Sequence, residues 1–161
     1  MTIGYNYLTE EQKRIFAKNL VLRRLAYVRF CNTGEIDSSK RILIIGDRPG
    51  PGAKNFDEAV HHNTPFYSKT FCSGWMNSLL VLNGISEDKL LWINSASFSG
   101  VETNSAILDK SWHKIIALGN NASNWCKKHD KDHIKINHPQ YQKRFKINEP
   151  YCLIDILKAE L

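Results

Sequence analysis

The chain has 161 residues, of which 42% are apolar, so it is long enough for one hydrophobic core but short for two. No stretch approaches the run of about 18 apolar residues that a membrane span needs, and the first residues lack the layout of a signal peptide; we therefore expect a cytoplasmic protein, bacterial or viral-intracellular. The net charge of +6 fits either a solvated basic surface or an anionic partner, with nucleic acid ahead of an acidic membrane.

The first 40 residues predict a helical region. Thr9 and Gln12 have the spacing of a capping box, in which each side chain satisfies the backbone N–H of the other. Apolar residues then recur at helical spacing: Ile15, Phe16, Leu20, Leu22, Leu25 and Val28. Gly34 and the polar residues 37–39 end the pattern, which fits one helix or two shorter ones.

The rest of the chain alternates between predicted strands and helices. Four short runs predict strands: residues 41–45, 90–93, 114–118 and 133–136. The first, a continuous β-branched run, suits a strand buried on both faces, and the second is also expected to be buried. Helical patterns cover residues 68–83, 121–128 and 150 to the C-terminus, with a weaker signal over 101–110. This order predicts a three-layer α/β/α sandwich with a central, mainly parallel four-stranded sheet. We expect a single domain over residues 1–161, with the helical region (1–40) preceding an α/β core (41–161).

Cysteine usage indicates neither a zinc ribbon nor a disulfide scaffold. The four cysteines are scattered and form no C-x-x-C pair, so we expect buried free thiols. Cys126, His129 and His133 have partly metal-like spacing, but no fourth ligand is evident. We therefore predict no metal and no cofactor.

Unusual residues follow each predicted strand. The first strand is followed by Gly46, Asp47, Arg48, Pro49 and Gly50, and the later ones by Asn94, Gly119 and His138. Each alone has an ordinary explanation, such as a tight turn, a helix cap or a packed loop histidine. The glycine-rich loop matches neither a Walker motif nor a dinucleotide fingerprint. Because ligands bind beyond the carboxyl ends of parallel strands, their joint placement indicates a binding site.

Five motifs in order make residues 41–145 resemble the uracil-DNA glycosylase superfamily. Residues 45–50 (IGDRPG) are similar to its first active-site motif, closest to the G-E-x-P-G form, and residues 64–67 (TPFY) to its Pro-Phe element. The base-reading strand of the family resembles residues 91–94 (LWIN), and its buried strand with the following helix resembles residues 115–122 (IIALGNNA). Its His-Pro-Ser motif is similar to residues 137–140 (NHPQ).

The resemblance implies a pocket for a base flipped out of DNA. Phe66 would stack on the base, which offsets part of the few kcal/mol that extrusion costs. Asn94 would read the O4/N3 edge of a pyrimidine, with Gly46 and Arg48 also at the base. Asp47 would position the attacking water. His138 would donate to O2, where negative charge develops as the pyrimidine leaves.

The resemblance also implies contacts to DNA around this pocket. Pro49 and Gly50 would let backbone amides approach the flipped nucleotide and its phosphates. A loop after His138 would enter the minor groove, where Tyr141 would act as the wedge that fills the gap left by the base. Gln140 would also contact the DNA, and Lys143 and Arg144 would bind phosphates. The alternative is a solvated basic loop.

Three departures from the family pattern bear on the chemistry. Arg48 aligns with the water-activating Asp of the best-known branch, and Asp47 stands where other branches have Glu. The iron–sulfur branch uses four clustered cysteine ligands that include an N-terminal pair, and this sequence lacks that pair, so we expect no cluster. The wall that excludes the methyl group of thymine is not assigned; Phe56, His61 and His62 are candidates.

Together these features predict a monomeric DNA glycosylase that hydrolyses the N-glycosidic bond of uracil or a related or modified pyrimidine. One alternative keeps the fold but acts on a hypermodified pyrimidine in viral DNA, with Arg48 contacting the substituent. The other is a relative of the fold that binds DNA or protein without catalysis.

Overall fold

The protein is a three-layer α/β/α sandwich around a four-stranded, all-parallel sheet, as predicted from the sequence. A computed structural model describes residues 2–34, 37–48, 64–96 and 104–160. The strands are β1 (Ile42–Gly46), β2 (Leu90–Asn94), β3 (Lys114–Leu118) and β4 (Ile134–Ile136). The α-helices of the described ranges are α1 (Glu10–Thr33), α2 (Phe71–Leu82), α3 (Ser105–Leu108), α4 (Asn120–Lys128), α5 (Pro139–Phe145) and α6 (Cys152–Glu160).

The strands lie in the order β2-β1-β3-β4, which places β1 in the interior of the sheet. Every residue of β1 and β2 is buried, as expected for continuous apolar runs in a parallel sheet. In the register of this pair Gly46 lies beside Asn94, so the two strands end at the same level. The ends of β1 and β2 thus meet at the carboxyl edge of the sheet.

Alternating side chains of the strands build two cores, one on each face of the sheet. On one face Ile42, Ile44 and Trp92 pack with residues of α2 and α6. On the other face Leu43 and Ile45 pack with residues of α1, α3 and α4. Helices therefore cover both faces of the sheet, and the polar ends of the strands emerge between the two helical layers.

The N-terminal region is one helix of 24 residues, α1, and not two short ones. Both hydrogen bonds of the predicted capping box are present at its start, and Gly34 ends it. Its buried stripe differs from the predicted apolar face: Ile15 and Leu25 are exposed, and the buried residues are Phe16, Leu20, Arg23, Tyr27 and Phe30. The stripe contacts β2 and α2, so an arginine lies at the centre of a buried helix face.

Three local expectations need correction. Helix α2 starts at Phe71 and not near residue 68, and Phe71 itself is exposed. Residues 139–145, expected to be a loop, form helix α5, because His138 caps the first turn and Pro139 occupies its first position. Of the four free cysteines only Cys126 is buried, whereas Cys31 and Cys152 are exposed.

Candidate functional site

Of the residues predicted from strand ends, those that the structure describes lie at the carboxyl edge of the sheet, where β1 and β3 are central. These strands are neighbours, but the helices that follow them pack on opposite faces of the sheet, α2 on one and α4 on the other. In open α/β sheets such a divergence leaves a crevice where ligands bind. The crevice in this chain is bordered by side chains from both faces.

Gly46 and Asn94 are side by side at the end of the β1–β2 pair. Asn94 is only 4% exposed, and among the described residues none forms a hydrogen bond with its side-chain amide. A Cβ at position 46 would lie 2.8 Å from Asn94 Oδ1 and 3.1 Å from Phe66 Cε2. A Cβ at this position would therefore have to displace the Asn94 amide or the Phe66 ring.

Phe66 presents its ring at the same end of the sheet. The ring centroid lies 5.6 Å from that of His138 and 6.1 Å from that of Trp92. The side chain is half-buried, while Thr64 and Pro65 before it are buried. One aromatic ring, one amide and one imidazole thus share one part of the crevice.

His138 is held in a defined orientation and tautomer. Its Nδ1 accepts a hydrogen bond from the Gln140 backbone N–H at 3.1 Å, so the neutral ring carries its hydrogen on Nε2. Burial lowers the pKa of His138, and the nearby Asp47 carboxylate acts in the opposite direction. Gly119, with φ of 97°, leaves room for the histidine, since a Cβ there would lie 3.1 Å from His138 Cβ.

Asp47 extends toward helix α4. Its Oδ2 accepts from Asn121 Nδ2 at 3.1 Å, and its Oδ1 lies 4.0 Å from Arg48 Nε. Its backbone carbonyl accepts from Ser95 Oγ and from the Ala96 N–H, both at 3.0 Å, which ties the ends of β1 and β2 together. The carboxylate is thus oriented by an amide and a guanidinium while one third of its side chain stays exposed.

An open cleft of about 270 Å³ lies on the α4 side of this edge. Its lining is mostly polar and contains two cations: Asp47, Arg48, Ser95, Ala96, Asn121, Asn124, Trp125 and Lys128. Asp47 directly follows Gly46 at the end of β1, so this cleft adjoins the group formed by Gly46, Phe66, Asn94 and His138. We call that group the ring-amide cluster.

Four of the residues predicted to contact DNA lie on helix α5. Tyr141 is 47% exposed, and its ring packs 5.2 Å from the ring of Phe145, which is also exposed. Lys143 and Arg144 are exposed in the last turn, and Gln140 is exposed in the first. Pro49, Gly50 and the candidate wall residues 56, 61 and 62 lie outside the described residues.

The sequence reasoning missed residues that support the cluster from beneath. Asn104 Nδ2 donates to the Asn94 backbone carbonyl at 2.9 Å, and Tyr27 Oη donates to Asn104 Oδ1 at 3.0 Å. A buried arginine, Arg23, contacts the carbonyls of Pro65 and Phe66. The sequence held one indication of this position, because Arg23 has the helical spacing from Phe16 and Leu20 that places all three on the same face of α1.

Within the described ranges, no three His, Cys, Asp or Glu side chains come together as metal ligands. In the Cys126, His129 and His133 cluster, His133 Nε2 shares a hydrogen bond with Ser123 Oγ, and its Nδ1 with the Lys131 carbonyl. His129 Nδ1 lies 3.4 Å from Asp109 Oδ1. These contacts explain both histidines as parts of the packing around α4.

Fold and site geometry define an α/β protein with an open polar crevice at the carboxyl edge of its sheet. Comparisons of the chain with protein-family models, curated proteins and solved structures found no significant match. In the part of the chain that the structure describes, no helix combines the length and apolar character that crossing a membrane requires.

The contact distances around Gly46 predict the effect of a single methyl group. Gly46→Ala should lower the free energy of unfolding by about 1–3 kcal/mol, because the new Cβ must displace Asn94 or Phe66. Urea unfolding measures this loss. Gly4→Ala is the control, since its Cβ would lie at an ordinary 3.6 Å from Tyr7. Equal stability of the two variants would contradict the tight packing described above.

The lowered pKa of His138 predicts a loss of stability in acid. Between its folded pKa and its unfolded value near 6.5, the unfolded state binds more protons, so the free energy of unfolding falls as the pH falls. Protonation of Nδ1 would also break the hydrogen bond from Gln140. In His138→Asn, where asparagine still caps α5, urea unfolding from pH 7.5 to 5 should show a smaller loss than in the wild type. Identical pH profiles would contradict this assignment.

Proposed function

We propose that this protein is a DNA glycosylase that releases uracil or a related pyrimidine from DNA, acting in the cytoplasm of a bacterium or of a virus-infected cell. The observation that carries the proposal is the ring-amide cluster, which brings an aromatic ring, a buried amide and an Nε2-protonated histidine to one point. A flipped pyrimidine needs these three partners: a stacking surface, a reader for its polar edge and a donor for the leaving group.

Recognition of the base rests on Phe66 and Asn94. A base stacked on the Phe66 ring would gain about 1–3 kcal/mol, which offsets part of the cost of extrusion. The Asn94 amide can both donate and accept, as the O4/N3 edge of uracil requires. Asn94 is buried, and none of the described residues bonds its amide, so a matching base could pair with it.

Catalysis would fall to His138 and Asp47. Nε2–H of His138 is a neutral donor at physiological pH, because burial lowers the pKa of the ring. Donation to O2 would grow stronger as charge develops on the departing pyrimidine. The Asp47 carboxylate, oriented by Asn121 and Arg48, would position water for attack at C1′ of the sugar. Water then supplies the hydroxyl at C1′, and its proton leaves through Asp47.

Contacts to the DNA backbone would come from α5. Lys143 and Arg144 expose cationic side chains next to the paired rings of Tyr141 and Phe145. Exposed cations bind phosphates in a salt-dependent manner, and an exposed aromatic ring can insert into a base step. The net charge of +6 supports the same partner.

A second candidate is action on a pyrimidine with a polar or anionic substituent, and the cleft beside Asp47 favours it. The cleft is lined by Arg48 and Lys128 together with the amides of Asn121 and Asn124. These groups suit the hydroxyl or phosphate oxygens of a substituent on the base. The choice between the two candidates is a choice of substrate, with the same ring-amide cluster in both.

The test is a cleavage assay on matched duplexes that contain uracil, hydroxymethyluracil or thymine, with alkali to reveal abasic sites. We expect strand breaks at one of the first two bases, and a drop of about 10²–10⁴-fold in Asn94→Ala, because the base loses a buried hydrogen-bonding partner. The matched control is Asn83→Ala, which removes an amide at the C-terminal end of α2.

The outcomes separate the hypotheses. Activity on uracil supports the primary proposal, whereas activity on hydroxymethyluracil alone supports the substituent cleft. Intact duplexes of all three kinds, together with DNA binding that persists in Asn94→Ala, would refute release of these bases and leave either a more heavily modified pyrimidine as the substrate or a non-catalytic DNA-binding protein.

A further inference from the structure

Phe66 has a backbone conformation that a bulky residue seldom adopts. Its φ is 53°, in the left-handed region that favours glycine. Non-glycine residues persist there only where their surroundings impose it, and such positions concentrate at functional sites. The neighbours of Phe66 should therefore include groups that enforce this conformation.

Two buried donors from different helices converge on the Phe66 carbonyl. Asn77 Nδ2, on α2, donates to it at 2.8 Å, and Arg23 Nη1, on α1, donates at 3.0 Å. Arg23 Nη1 also lies 3.3 Å from the Pro65 carbonyl. Both side chains are nearly inaccessible, with Arg23 and Asn77 each 3% exposed. These bonds fix the peptide plane after Phe66 and with it the direction of the ring.

The arginine is itself locked in place. Its Nε donates to Glu87 Oε1 at 2.6 Å, and its guanidinium carbon lies 3.9 Å from the ring centroid of Trp92. The Trp92 indole N–H donates to the other Glu87 oxygen at 3.1 Å. Since Trp92 lies two residues before Asn94 on β2, one buried network joins the turn that presents the ring to the strand that carries the amide.

We propose that Arg23 and Asn77 are positioning residues that hold Phe66 in the left-handed conformation, so that its ring is set in advance for stacking on a flipped pyrimidine. This inference rests on the proposed function. It assigns helix α1 a role at the site, because Arg23 reaches Phe66 from that helix. Neither residue touches the base; both act through the Phe66 carbonyl.

The first test reads the ring directly and needs no DNA. With 4-fluorophenylalanine incorporated only at position 66, the ¹⁹F resonance should move or broaden in Asn77→Ala. The control is Ile115→Ala, which opens the core near the amino end of β3, at the edge opposite the site. If Asn77→Ala does not fold, Arg23→Lys replaces it, since lysine keeps the charge beside Glu87 but not the planar fork. An unchanged resonance in the folded variant would overturn the proposal.

The second test measures binding to a duplex with one 2′-fluoro-2′-deoxyuridine, whose glycosidic bond resists cleavage. We expect Asn77→Ala to weaken binding about tenfold, within the range for the loss of one base–aromatic stack. In a Phe66→Ala background the same change should have no further effect, because the ring it positions is gone. An equal loss in both backgrounds would overturn the proposal. If the wild type binds no such DNA, release of unmodified uracil fails as the proposed function, and the fluorine measurement still decides whether the ring is positioned.

Discussion

Replacing His138 with alanine is expected to slow pyrimidine release by about 10²–10³-fold with little change in DNA affinity. Removal of one preorganised donor to developing negative charge has an effect of this size in other enzymes. The donor here is Nε2–H, fixed by the bond from Gln140 to Nδ1. Single-turnover cleavage of the best substrate from the oligonucleotide series measures the rate, and anisotropy measures the affinity.

The matched control is His113→Ala. His113 lies directly before β3, at the opposite edge of the sheet, where it contacts Glu160. Its loss should leave the rate unchanged. If His138→Ala cleaves within about threefold of the wild type, the histidine does not stabilise the leaving group, and the proposed chemistry is wrong even if DNA binding persists.

Replacing Glu87 with alanine is expected to lower the free energy of unfolding by about 3–5 kcal/mol. The change would leave the Arg23 guanidinium buried without its carboxylate, and losses of this size follow when one partner of a buried ion pair is removed. Burial already lowers the pKa of Arg23, and Glu87 opposes that effect. Urea unfolding of the wild type and the variant gives the difference.

Two further variants test whether the loss comes from the buried ion pair. Glu10→Ala removes an exposed partner of Lys13 and should change stability by less than about 1 kcal/mol. The double variant R23M/E87L should recover part of the loss, because apolar side chains can replace a buried pair. The recovery should be partial, since Phe66 and Trp92 would lose hydrogen-bonding partners. A Glu87→Ala effect no larger than that of Glu10→Ala would contradict the buried network.

The strained residue Phe66 and the buried side chains that hold it lie at the same place in this protein. Phe66 is held against its conformational preference, and the groups that hold it are charged or polar and buried. Such a network is costly to break and fixes one arrangement of the ring. Stability and site geometry are therefore coupled through Arg23, so stability should be measured alongside binding for every variant at these positions.

The sequence predicted the local elements well wherever short-range physics decides them. β-Branched runs gave the four strands within a residue or two, and the capping pair Thr9 and Gln12 gave the start of α1. Prediction was weaker where a pattern admitted two solutions. The residues after His138 were expected to be a loop, but a histidine cap followed by Pro139 starts a helix there.

The residues of the candidate site likewise fall into those that the sequence predicted and those that it did not. Asp47, Asn94 and His138 were predicted because each follows a strand, and strand ends in a parallel sheet meet at one edge. The buried position of Arg23 was not predicted, because a charged side chain in a helix is expected to face solvent unless its partner is known. That partner is Glu87, 64 residues further along the chain.

The sequence by itself determined the strand–helix order, the class of fold and the set of polar residues at the strand ends, since these follow from hydrophobic period and backbone preference. Only the tertiary structure decided which of those residues meet. The order β2-β1-β3-β4 sets Gly46 beside Asn94, and the left-handed turn at Phe66 aims its ring at the same point. Both depend on contacts between distant segments, whose energies exceed any local preference of the residues involved.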